Sequence, residues 1–66
     1  MSALHHDDFV SVTYLKLGHR ADETYDEVSY ADGSGAVRLR LGELPDWLSR
    51  HPGAMVCSIT LLHRRP

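Results

Sequence analysis

Sixty-six residues, 42% of them apolar and 24% charged, describe one small globular domain (1–66) with no room for a second core. The single cysteine, Cys57, excludes an internal disulfide, and no Cys/His set has zinc-site spacing. The net charge of −2 hides an uneven split: residues 1 to 32 carry seven acids against Lys16 and Arg20, residues 33 to 66 five arginines against Glu43 and Asp46.

A chain this short buries only about 60% of the surface its unfolded form exposes, so stability is marginal and self-association or a protein partner is a natural remedy. No apolar run approaches the roughly 18 residues that span a bilayer. The opening "MSALHHDDF" is polar and acidic, unlike a signal peptide, so a cytoplasmic location is expected, in keeping with one reduced thiol. Six Arg against one Lys, with one Ile and no Asn, is the usage of a GC-rich coding sequence and suggests a bacterium or its phage; the absence of Gln does not follow from that bias.

Residues 8–17, "DFVSVTYLKL", are rich in β-branched and aromatic side chains and predict a strand. Val10, Val12 and Tyr14 fall on one face and Phe9, Leu15 and Leu17 on the other, which requires a central strand or one covered by a helix. Gly18 breaks the pattern. Residues 24–31, "TYDEVSYA", carry both helical spacing and strand formers. The four residues "DGSG" (32–35) lead into the clean alternation of "AVRLRL" (36–41), which favours a β-hairpin. There Val37, Leu39 and Leu41 point inward, Arg38 and Arg40 outward. A short helix over 45–51 follows, with Pro45 in its first turn, Pro52-Gly53 at its stop and Leu44, Trp47 and Leu48 on the face turned to the sheet. Residues 54–63, "AMVCSITLLH", are nearly continuous in apolar residues and predict a central, buried last strand, preferably beside the first. The sum is an α+β fold: a four-stranded, mostly antiparallel sheet in the order strand-strand-strand-helix-strand, with the one short helix packed on it.

No motif names a reaction. His5, His6, Asp7 and Asp8 are metal-binding types, but consecutive residues of an extended chain diverge, so no metal site and no cofactor are expected. Cys57 alternates with Met55, Ile59 and Leu61 and reads as core. "DGSG" lacks the Lys and helix of a phosphate loop. Asp22, Glu23, Asp26, Glu27 and Asp32 put five acids into eleven positions, with Tyr25 and Tyr30 among them. Paired carboxylates would need a pocket to do acid-base work, and a hairpin offers none. A protein-binding patch needs no pocket: carboxylates steer toward a basic surface and tyrosines supply contact area. The expected function is therefore non-enzymatic, with a basic protein surface as partner and a monomer or homodimer as the acting form. The alternative is a small interaction subunit or nucleic-acid-binding module using Arg38, Arg40, Arg64 and Arg65, against which a pI near 6.1 weighs.

In size, charge layout and element order, the whole chain resembles the small phage-encoded anti-CRISPR proteins that inhibit type I systems of pseudomonads. That group shares no diagnostic motif, so no functional residue is carried over. The resemblance implies an inhibitor that binds a Cascade-type complex and blocks target DNA, acting in a bacterial host's cytoplasm. The acids of "DETYDE" are the candidate surface for it.

Overall fold

The computed structural model describes residues 4–64. Its strands are β1 (Phe9–Leu15), β2 (Asp26–Ser29), β3 (Ser34–Arg40) and β4 (Met55–His63), with helix α1 (Leu44–Arg50) preceded by one 3-10 turn at Leu41–Glu43. They form a single antiparallel sheet in the order β2-β3-β1-β4 with one short helix, so the α+β expectation holds and β4 lies beside β1.

The β2–β3 hairpin closes where "DGSG" places it. Asp32 accepts bonds from the backbone N–H and hydroxyl of Ser34, and Gly33 takes a φ of 92°, which a side chain resists. Proline near the start of α1 and the Pro52-Gly53 stop bound a helix of seven residues. Its Leu44 and Trp47 join Val10, Val12, Tyr14, Val37 and Leu39 to form the buried core, with Leu48 and Leu61 packed at its margin. The alternation of β1 thus resolves as expected: Val10, Val12 and Tyr14 face the helix.

Two expectations about the last strand fail. β4 is neither central nor buried: it is an edge strand, and all of its nine residues but the half-buried Leu61 are exposed. The reason is dimensional. A helix of seven residues is about 10 Å long and about 10 Å wide, enough to roof two or three strands spaced about 4.8 Å apart. Val56 and Ile59, on the helix-side face opposite buried Tyr14 and Val12, are left 36% and 39% exposed. Cys57 is exposed rather than core, because the register slips there: Thr13 pairs with Ser58 and Tyr14 with Val56, leaving Cys57 in a bulge.

Gly35 is demanded by a close approach. It lies between Tyr14 on β1 and Ser29 on β2, and the Tyr14 ring lies across it to reach β2. A Cβ at Gly35 would stand 2.3 Å from the Tyr14 hydroxyl and 2.6 Å from the Val28 carbonyl oxygen. Gly35→Ala should therefore cost at least about 2 kcal/mol by displacing the ring. Urea denaturation checks it; unchanged stability would mean Tyr14 does not cross β3 there.

Candidate protein-binding face

The acidic segment splits according to the pleat. Asp26 and Val28 lie on the open face of the sheet, opposite Arg38 and Ala36, while Glu27 pairs with buried Val37 and points under the helix. Its side chain is fully buried, so Glu27 is not part of any solvated acidic patch. The β2 pairing register carries it inward despite its charge.

Burial is tolerable because the carboxylate is saturated. Oε2 accepts the Tyr14 hydroxyl at 2.6 Å and the His19 Nε2–H. Oε1 accepts the Asp22 backbone N–H at 2.9 Å and the Trp47 indole N–H at 3.1 Å. Four donors thus meet the lone-pair sites of one carboxylate, drawn from β1, the 16–25 loop and α1. Burial raises the pKa of Glu27, but the bonds from Tyr14, Asp22, His19 and Trp47 together outweigh it and hold the carboxyl below the usual value of 4.5. The same contact acts in reverse on Tyr14, whose phenol is pushed well above its ordinary range by burial first and then by the bond and charge of Glu27. His19 stands edge-on to His51, with ring centroids 4.6 Å apart, and Trp47 lies 4.8 Å from His51.

The remaining acids are largely engaged by their own chain. Asp22 accepts the Thr24 backbone N–H, which lowers its pKa with help from His51 and Arg50, at 3.1 and 3.7 Å. Tyr25 packs against the core and donates to Asp46, which pushes its phenol up to about 12. Asp32 is spent on the hairpin turn. Glu23 and Asp26 are exposed, with the Arg38 guanidinium 4.0 Å from Asp26. The lopsided charge of the two halves is therefore interleaved by folding. Arg40 bonds the Asp7 carbonyl at 2.8 Å and Arg64 lies 3.9 Å from Asp8; Arg65 lies outside the described residues. Arg38 and Arg40 do share a face, as the alternation required.

At the N-terminus the expectation of divergent ligands needs correcting. The chain turns, with the Asp8 N–H bonded to the His5 carbonyl at 2.9 Å, and the ligand atoms of His5, His6 and Asp7 come within 4.8 Å of one another. These are the described residues able to hold a metal, although His5 Nδ1 already accepts the Asp7 N–H.

What the acidic pattern concealed is the open face of the sheet. Across one row of the register stand Met55 on β4, Leu15 on β1, Ser34 on β3 and Tyr30, whose N–H bonds Ser34; Val28 follows in the next row beside Ala36. Leu15, Val28, Tyr30 and Met55 are 44%, 49%, 60% and 64% exposed, and Leu17 reaches this end against Gly33. Toward the other end the face carries Ser11, Thr60 and the Arg38–Asp26 pair, and then Phe9 stacked on His63. The exposure of Tyr30 was legible in the sequence; that of Leu15, Val28 and Met55 was hidden because each looks like core in its own strand. Comparison with family models, curated proteins and solved structures finds no match to this chain.

The Glu27 hub fixes an acid limit on stability. Its folded pKa lies below the unfolded value, so its contribution is complete above about pH 4.5 and is lost as pH falls through the folded pKa. Glu27→Gln, which puts an amide donor against the hub's donors, should cost at least about 2 kcal/mol at neutral pH. Denaturation across acid pH should also show a shallower slope for the variant than for the parent.

Proposed function

We propose that this chain is a non-enzymatic protein-binding domain, and that the apolar end of its open sheet face is the contact surface. The observation that supports this reading is the cluster of Leu15, Val28, Tyr30 and Met55, large side chains gathered on a face that no layer covers among the described residues. Contiguous apolar surface of this kind on a small domain is characteristic of interaction sites. Tyrosine at such a place gives a rigid, amphipathic anchor. Glu23 and Asp26 are the exposed acids of the cluster that remain to steer association with a basic partner.

An inhibitor of a Cascade-type complex, occupying the surface that target DNA would use, is one specific form of this proposal and rests on the resemblance above. No helix among the described residues is long and apolar enough to cross a membrane. The nucleic-acid alternative asks Arg38, Arg40 and Arg64 to serve phosphates, whereas Asp26, the Asp7 carbonyl and Asp8 already stand beside them.

Affinity capture from a bacterial lysate, followed by titration of the captured protein, tests the reading. Tyr30→Ala and Val28→Lys should each weaken binding at least about tenfold while the fold is retained. Loss of binding on Arg38→Glu with no effect at Tyr30 or Val28, together with direct DNA or RNA binding, would favour the alternative instead.

A further inference from the structure

The two edges of the sheet are guarded differently. β2 is four residues long and carries Asp26 and Glu27, a short and charged edge that discourages further pairing. β4 is nine residues long, with no Asp, Glu, Lys, Arg or Pro from Met55 to His63. Its bulges at Cys57 and Leu62 leave Ser58–Leu61 in regular register, and among the described residues no strand pairs with its backbone edge away from β1. Val56, Ile59 and Leu62 stand exposed along it.

We propose that β4 pairs antiparallel with β4 of a second copy of this chain, joining two sheets into one of eight strands. The chemistry of the strand selects its own copy. With no charge along its length, it meets itself without like charges in opposition. Two-fold antiparallel pairing also keeps each face with its like: the exposed Val56 and Ile59, on the helix side, lie beside the same apolar residues of the other copy. Ser58 and Thr60 meet their equivalents on the open face. The nine-residue edge is about 30 Å long, close to the molecule's largest extent of 35 Å. A standard interface takes about 800 Å² from each partner, a minor share of this chain's 4502 Å². Such a dimer supplies the extra burial that a small domain without a disulfide needs. It sets two open faces on one side of a continuous sheet, and because it uses the strand edge it stands or falls independently of what binds that face.

Sedimentation equilibrium of the purified chain at high micromolar concentration tests the proposal. The expected mass is twice the 7.4 kDa of the chain. Ile59→Lys, which places a charge at the seam, should weaken the dimer by at least about tenfold, and Val28→Lys on the open face should leave the mass unchanged. On the parent protein, exchange of the Ser58–Leu61 backbone amides should slow as concentration rises, a readout that does not depend on any variant folding. A monomer at high concentration overturns the proposal. So does exchange that ignores concentration, or a dimer lost with Val28→Lys and kept with Ile59→Lys.

Discussion

The buried carboxylate of Glu27 ties the sheet to its helix. Glu27 draws the Tyr14 hydroxyl, the His19 imidazole, the Asp22 backbone and the Trp47 indole onto its two oxygens, so that β1, β2, the loop between them and α1 are fixed to one point. A chain of 66 residues with one short helix has little apolar area to spend on docking that helix. The hub adds direction to what the Trp47 ring supplies by burial. An apolar residue at position 27 would take the acceptor from His19 and Trp47 and leave the Tyr14 hydroxyl only the Val28 carbonyl at 3.4 Å, which is the more costly failure.

The hub also decides which surface is left over. By fastening α1 over β1, β2 and β3 it commits the helix-side face to the core, and it consumes the most central acid of the cluster. Among the described residues the opposite face receives no covering layer. There the same pleat that turns Glu27 inward turns Val28 outward, next to Tyr30 and one row from Leu15 and Met55. A buried structural role and an exposed apolar position thus fall to neighbouring residues of one four-residue strand.

Much of this was legible in the chain. The β-branched alternation of 10–14, the "DGSG" hairpin and the proline-bounded helix with Trp47 each follow from local chemistry, and the structure reproduces them. β4 was misread because a continuous apolar run normally signals burial on both faces, and nothing local records that a two-turn helix is too small to cover a fourth strand. The position of Glu27 was recoverable in principle. A hairpin closed at "DGSG" sets it opposite Val37, whose inward orientation the alternation already demanded. Charge argued for solvent, pairing register argued for the core, and register prevailed because the donors were there to receive it. His19 and His51 gave no warning, since their place beside Trp47 depends on a loop without periodicity.

The most direct test of this account is a carbon-detected NMR titration of the Glu27 side-chain carboxyl, read together with the Trp47 indole proton. Glu27 should titrate below the ordinary value of 4.5, with the indole signal protected from exchange and shifting in step as the carboxylate is lost. A carboxyl that titrates at the ordinary value, beside an indole proton exchanging as freely as in an unfolded chain, would contradict it.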